Sequence, residues 1–435
     1  MTAIVLEADL TWTDRGFEPG VQIAVGDNGR IEAVGALGRT VSHRLERLAL
    51  LPGFVNAHSH AFQRGLRGAG ERFPHGAGSF WTWRDAMYGL VGSLDHAGLR
   101  RLSAQAFGEM RDAGITSVGE FHYVHHDQDA DYALDEAVLE AAAEIGIRIV
   151  LVNAFYSSGG VGRPIEPGQR RFATASLDGY WRQMDRLSSL LDPATQSLGV
   201  AAHSIRAVRL EEIAALHAEA SRRGLRFHMH VEEQRREVEE SVAVYGKTPM
   251  AVLNDALDIS GNFTAVHCTH TTRADRARFL DRGGAVCCCP LTEANLGDGL
   301  PDLSQLDAAG GQICLGSDSN ARIDVLEEMR WLEYGQRLRR EARGALVDVR
   351  GEVAPSLLAA ATSGGARALG LDAARIAAER WADFVAIDLT APGLAGVAEE
   401  QLLDAMVFGA GNEVIAGTFV GGRWRATRGA ALPGR

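Results

Sequence analysis

The chain is almost without lysine: of its 44 basic residues, all but Lys247 are arginine. That absence excludes several chemistries at once. A Schiff-base lysine, or a carboxylated lysine bridging two metals, could only be Lys247, which falls outside the strand ends where such groups act. Cysteine is scarce as well, limited to Cys268, Cys287, Cys288, Cys289 and Cys314. The number is odd, three are adjacent and all lie in apolar runs, a pattern of reduced, buried thiols rather than a disulfide framework. No run of about 18 apolar residues occurs, so no membrane span is expected. The opening MTAIVLEADL has no basic n-region and carries an acid inside its apolar run. It does not read as a signal peptide, and the cytoplasm is the expected address. Basic tracts are absent and the net charge is −12, which argues against nucleic acid or an anionic membrane as partner. An acidic substrate would therefore require a local cluster of cations working against the global field.

What is present is a globular composition, 46% hydrophobic and 23% charged over 435 residues. That length suits a barrel of about 250 to over 400 residues with a small appendage. Residues 1–48 alternate apolar and polar positions in short runs such as VQIAV and RIEAVGAL, with a turn at Gly26–Gly29. The stretch from 376 to 435 has the same texture in ADFVAID and VIAGTFVGGRW. Both ends together predict one small β-sandwich domain, 1–48 plus 376–435, flanking a central unit over 49–375.

That unit holds eight apolar strand candidates: PGFVNAH (52–58), TSVGEF (116–121), IRIVLVNAF (147–155), SLGVAAH (197–203), RFHMH (226–230), FTAVH (263–267), AVCCC (285–289) and QICLGSD (312–318). Helical patterns such as DEAVLEAAAEIG and RLEEIAALHAEASRRG separate them. Near-continuous apolar strands alternating with helices indicate a parallel sheet covered by helices, and eight units predict a closed (β/α)8 TIM barrel in the α/β class. No G-x-G-x-x-G follows an early strand, so an open doubly wound sheet lacks support.

TIM-barrel active sites sit at the C-terminal strand ends, and polar residues gather there. Strand 1 ends in His58-Ser59-His60, strand 5 in His228-Met229-His230 followed by Glu232 and Glu233, strand 6 at His267 with His270 beyond, and strand 8 in Asp318. His58 and His60 are two apart, so on a strand they share a face and can share one ion. His230 and Asp318 would complete the site from other strands. Neutral imidazoles plus one carboxylate suit Zn2+ with an open position for water, and Fe2+ or Mn2+ also fit. A lone H-x-H is a weak signal; joined to histidines at strands 5 and 6 and an aspartate at strand 8 it is a strong one. His228 shares a face with His230 and competes with it as ligand. Glu232 reads as a solvated neighbour, His122, His125 and His126 as loop residues, His270 as an outer or loop residue, and Cys287–Cys289 as strand core.

The strings LPGFVNAHSHAFQRGLRG, SFWTWRDAMY, TSVGEFHYVHH, HSIRAV, HMHVEEQRREV, HCTH, CPLTEANLGDG, GSDS and LEEMRWLEYGQRLR resemble the amidohydrolase superfamily over nearly the whole chain. Within it they are similar to the N-formimidoyl-L-glutamate deiminases. H-x-H and GSD recur across the superfamily; SFWTWRDAMY, GEFHYVHH and TEANLGDG are much narrower. The resemblance implies that His58, His60, His230 and Asp318 bind one divalent metal, with the H-x-x-E spacing favouring His230 over His228. Two-metal relatives bridge their ions with a carboxylated lysine at strand 4, which here ends in Ala202-His203, so a single ion is expected.

It further implies hydrolytic deimination of N-formimidoyl-L-glutamate to N-formyl-L-glutamate and ammonia, a step of histidine degradation, by a zinc-activated water. Asp318 takes the water's proton, Glu233 shuttles a proton to the leaving nitrogen, and His267 positions water or stabilises charge. Arg84 and Arg206 are placed to fork the two carboxylates of this small dicarboxylate substrate, and Gln63, Tyr123 and His203 are implicated beside them. Similar proteins are dimers, so a homodimer is expected. A ring deaminase acting on a purine, pyrimidine or triazine would share the metal set but want aromatic stacking; a non-catalytic relative would have lost ligands that are all present here. One departure stands out: Asn320 follows GSDS, where many of the family have histidine.

Overall fold

The computed structural model describes residues 4–69, 71, 80–127, 131–303 and 312–426. Residues 1–3 and 427–435 of the expected small β domain, and Ser79 of SFWTWRDAMY, lie outside the described residues.

Both chain ends build one mixed sheet. Its strands are β1 (Ile4–Thr13), β2 (Gly16–Glu18), β3 (Gln22–Val25), β4 (Ile31–Gly35) and β5 (His43–Pro52) from the N-terminal side. Between the two contributions runs the barrel: β6 (Phe54–Ser59), β7 (Ile115–His122), β8 (Arg148–Phe155), β9 (Gln196–Ser204), β10 (Phe227–Val231), β11 (Phe263–His267), β12 (Ala285–Cys288) and β13 (Ile313–Leu315). Then β14 (Phe384–Asp388), β15 (Ile415–Val420) and β16 (Arg423–Ala426) return to the first sheet. Its order is β16-β15-β14-β5-β1-β3-β4, with β2 on β1, and it packs its own apolar core of Leu6, Ile23, Ile31, Leu50, Phe384 and Phe419. Leu6, Ala8 and Leu10 are buried while Glu7 and Asp9 between them are less so, as a strand with one better-covered face requires.

The barrel strands are parallel and pair in sequence order from β6 to β13. β7 and β8 are buried along their whole length, as expected of strands walled by neighbours inside and helices outside. The helices present the matching stripe: in Leu210–Arg222, Ile213, Leu216, His217 and Ala220 recur at helical spacing and are buried. The cysteines are all free and buried; Cys287, Cys288 and Cys314 are strand core, whereas Cys268 and Cys289 lie one residue past the ends of β11 and β12. No helix among the described residues is long and apolar enough to cross a membrane.

The last strand is shorter than the sequence predicts. β13 ends at Leu315, and Asp318 lies beyond it in a bend with φ +46°. The bend closes the barrel: Asp318 N donates to His58 O at 3.0 Å and His60 N donates to Asp318 O at 2.9 Å, joining β13 to β6. Gly316 allows this approach, because a Cβ there would stand 2.7 Å from the Cβ of His58. The seam that closes the barrel is therefore also the backbone of the candidate site.

The two sheets are pinned by a buried ion pair. Arg148, at the start of β8, forks Asp383 with Nε–Oδ2 at 2.7 Å and Nη2–Oδ1 at 3.1 Å, and Gly421 N donates to the same carboxylate at 2.7 Å. Asp383→Asn should cost about 1.5–3 kcal/mol, the worth of hydrogen bonds to a charged group. Urea unfolding measures this, and an unchanged midpoint would show that the pin contributes nothing.

Candidate metal centre and its cavity

Four side chains from three places in the sequence meet at the barrel seam. His58 Nε2 lies 3.3 Å and His60 Nε2 3.2 Å from Asp318 Oδ1. His230 Nε2 lies 3.1 Å from His58 Nε2 and 3.3 Å from His60 Nε2. Ligands at about 2.0–2.1 Å from a tetrahedral ion stand about 3.3 Å apart, so these four spacings match edges of one coordination tetrahedron. The hydrogen bonds behind the rings fix the donor set. His60 Nδ1 faces Phe121 O at 2.8 Å and His230 Nδ1 faces His203 O at 2.9 Å, so both Nδ1 atoms carry the proton. Each ring then turns an Nε2 lone pair toward the other, which is repulsive unless a cation lies between them. His58 Nδ1 is buried without a partner.

Electrostatics agree. Burial pushes the His58 imidazole down to about 3, burial lowers His60 against the opposing pull of Asp318, and burial with the neighbouring imidazoles lowers His230, which keeps all three rings neutral as ligation requires. For Asp318, burial opposes the charge, but the hydrogen bond with His58 and the other imidazoles outweigh it and hold the carboxyl below its ordinary range. The residues fit a divalent ion of the zinc type.

His267 belongs to the same cluster, its ligand atom within 4.8 Å of those of His58, His230 and Asp318. Its Nε2 lies 3.9 Å from Asp318 Oδ2 and 4.0 Å from Glu233 Oε1, so the three groups face a common point without bonding one another. Burial would lower its pKa, but Glu233, Glu293 and Asp318 reverse this and raise it to about 10. Glu293, which the sequence reading missed, backs the ring at 3.4 Å from Nδ1 and accepts from Cys289 N at 2.9 Å. Glu232, His267, Cys268, Asp318 and Asn320 all adopt positive φ, an unfavourable conformation for residues with a Cβ. Such strain gathers where the fold over-determines a functional geometry.

Several expectations need correction. Glu232 is not solvated: it is fully buried, and its Oε1 accepts from Met250 N at 2.9 Å, so it anchors the bend that turns Glu233 toward the cavity. His228 Nε2 bonds Ala368 O at 3.0 Å, behind the barrel wall and apart from the cluster. His122 is the last residue of β7 rather than a loop residue, and it and His125 bond the buried Asp135 at 3.1 and 2.8 Å. Asp135 also accepts from Asn153 and Gln183, so this set is satisfied internally. Asn320 donates to Ser59 Oγ and to Asp318 O, both at 3.1 Å, and accepts from Ser317, clamping the seam beneath the ligands. Glu120 was missed; burial pushes its carboxyl up to about 8, and it accepts from Ala61 N at 2.6 Å beside the first ligands. A single acid in the apolar string TSVGEF was the signal that could have found it.

One cavity, open to solvent at its mouth, joins the cluster to the remaining candidates. Gln63, Arg84, Tyr123, His203 and Arg206 all line it, together with His60, His230, Glu233 and Asp318. Gln63 Nε2 donates to Tyr123 Oη at 2.9 Å, while its Oε1 is buried without a partner. His203 is kept neutral by burial and the nearby Arg206. Arg206 is more engaged than the sequence suggests. Its Nη2 donates to Glu233 Oε2 at 2.8 Å and its Nε lies 3.0 Å from Glu237 Oε2. Burial pushes the Glu237 carboxyl up to about 7, partly offset by Arg206. The Nη1 end of the fork is the part not taken up by these two acids.

Residues 49–425 match the amidohydrolase family. The chain is 40% identical to formimidoylglutamate deiminase from Pseudomonas aeruginosa over 87% of this chain and 85% of that one. It is 27% identical to a 5-methylthioadenosine/S-adenosylhomocysteine deaminase from Moorella thermoacetica, over 80% of this chain and 75% of that protein. A crystal structure of an amidohydrolase from Brucella melitensis superposes with a TM-score of 0.86 at 32% identity, covering 98% of this chain and 96% of that one.

Proposed function

As the chain belongs to the amidohydrolase family and is a hydrolase of a non-peptide C–N bond, we propose that it converts N-formimidoyl-L-glutamate and water to N-formyl-L-glutamate and ammonia. The observation that carries this reading is one cavity lined by an imidazole–carboxylate cluster, by arginines that include Arg84 and Arg206, and by an unpartnered buried amide oxygen. The relative from Pseudomonas aeruginosa named for this activity supports it. The same reading expects a cytoplasmic homodimer working in histidine degradation.

His58, His60, His230 and Asp318 would hold one divalent ion, zinc before iron or manganese. Held there, such an ion would lower the pKa of water from 15.7 to about 7 and so supply a nucleophile at neutral pH. Asp318, kept ionised, accepts the proton of the attacking water. As the formimino carbon becomes tetrahedral, His267 faces the new charge with its ring fixed from behind by Glu293. Glu233, oriented by Arg206 at 2.8 Å, moves the remaining proton of the added hydroxyl to the terminal nitrogen, and Asp318 returns the first water proton to the same nitrogen, so that it departs as ammonia. Gln63 Oε1 accepts an amidine N–H, and Arg84 and the Nη1 end of Arg206 take carboxylate oxygens. Arg206→Lys keeps the charge and removes the fork. It should lower kcat/KM by about 1.5–3 kcal/mol, and an unchanged kcat/KM would take Arg206 out of substrate binding.

A second reading has its own support. Phe80, Trp83, Tyr88, Tyr123, Tyr156 and Phe172 also line the cavity, as a ring-stacking site would. Ammonia release measured on N-formimidoyl-L-glutamate, guanine and adenosine decides between the two. Turnover of a purine with none of the amidine would overturn the first.

A further inference from the structure

The cavity has a third guanidinium that neither the mechanism nor the family resemblance uses. Arg163 lies in the loop after β8, within a tight turn in which Gly159 N donates to Arg163 O and Arg163 N to Gly160 O, both at 2.9 Å. Its side chain lies flat over Gly160: a Cβ on that glycine would stand 2.3 Å from Arg163 Nε and 2.6 Å from Cζ. Arg163, Gly159, Gly160 and Glu240 all line the cavity. Arg163 is 47% exposed, which places it at the mouth, whereas Arg206 is 11% exposed at the inner wall.

Its partnership is built to be exchanged. Arg163 Nη2 donates to Glu240 Oε1 at 3.0 Å, and Arg236 Nε donates to the same oxygen at 2.9 Å. If Arg163 leaves, Glu240 keeps a cation. A half-exposed pair of this kind holds weakly. Arg206 is in the opposite position, buried and set between Glu233 and Glu237, so much of its charge is already offset. Two carboxylates entering this acidic chain need more cation than Arg84 and one end of Arg206 supply.

We propose that Arg163 is a specificity residue that takes the outer, side-chain carboxylate of the substrate at the cavity mouth, exchanging Glu240 for it. This rests on the deiminase reading above. The substrate's amidine end enters toward the metal cluster, so its side-chain carboxylate is the end nearer the mouth.

The test is steady-state ammonia release by the metal-loaded full chain on two substrates: N-formimidoyl-L-glutamate, and N-formimidoyl-L-norvaline, which has a methyl group in place of the outer carboxylate. Arg163→Gln should raise KM for the dicarboxylate about tenfold or more, with kcat and the norvaline kinetics within about twofold of wild type. Gly160→Ala, which displaces the guanidinium without removing it, should raise the same KM by a smaller factor. Equal losses on both substrates, or no change on either, would overturn the assignment while leaving the deiminase reading intact. A wild-type enzyme that releases no ammonia from the dicarboxylate would overturn both.

Discussion

Asp318→Ala should lose both its metal and its activity, with ammonia release falling by at least about 10⁴-fold, the upper range for removing a positioned acid–base group. The size follows from the residue's double duty. Its Oδ1 lies 3.2–3.3 Å from two of the imidazoles, so it closes the ligand tetrahedron, and its carboxylate is also the group next to the attacking water. Taking it away leaves three neutral imidazoles, a site of lower charge and one ligand short. Elemental analysis and turnover must be measured on the same purified sample. A metal-free Asp318→Ala protein with normal turnover would end the hydrolytic mechanism proposed above. The backbone of residue 318 also closes the barrel, so circular dichroism is needed to show that the variant is folded; alanine tolerates the φ of +46° poorly. Asp318→Asn, which tolerates that conformation better, is the companion variant, and it should be equally inactive because an amide cannot accept the proton.

Glu233→Gln separates proton transfer from metal binding. The amide keeps the shape and can still accept a bond from Arg206, but it cannot carry a proton. We expect kcat to fall by about 10²–10⁴-fold with metal content unchanged and KM altered much less. The geometry supports this split, since Glu233 is not among the tetrahedron's edges and lies 4.0 Å from His267 and 2.8 Å from Arg206. Wild-type kcat in this variant would remove Glu233 from the reaction. Loss of metal would make it a structural group instead.

The two substitutions bear on how far the chemistry was legible before the fold was known. His58, His60, His230 and Asp318 stood out because strand ends in a barrel point at one place, and because a spacing of two puts neighbouring imidazoles on one side. Glu232 was misread for a local reason. It follows a strand, where charged residues are usually solvated, but the left-handed bend at φ +53° swings its side chain into the wall. Glu293, Glu237 and Arg163 gave no periodic signal. Each acts on a partner at least 26 residues away or across a loop: Glu293 on His267, Glu237 on Arg206, and Arg163 on Glu240.

The sequence alone determined the class of fold, the placing of candidate ligands at the strand ends and the exclusion of lysine chemistry. Strand alternation, strand-end position and composition are local or additive properties, readable without knowing which residues touch. Only the tertiary structure decided the short last strand, the seam at which Asp318 both closes the barrel and faces the imidazoles, and the commitment of Arg206 to two acids. Those features depend on which loops meet at the barrel mouth. That is set by the closure of eight strands around one axis, a global constraint that no window of the sequence contains.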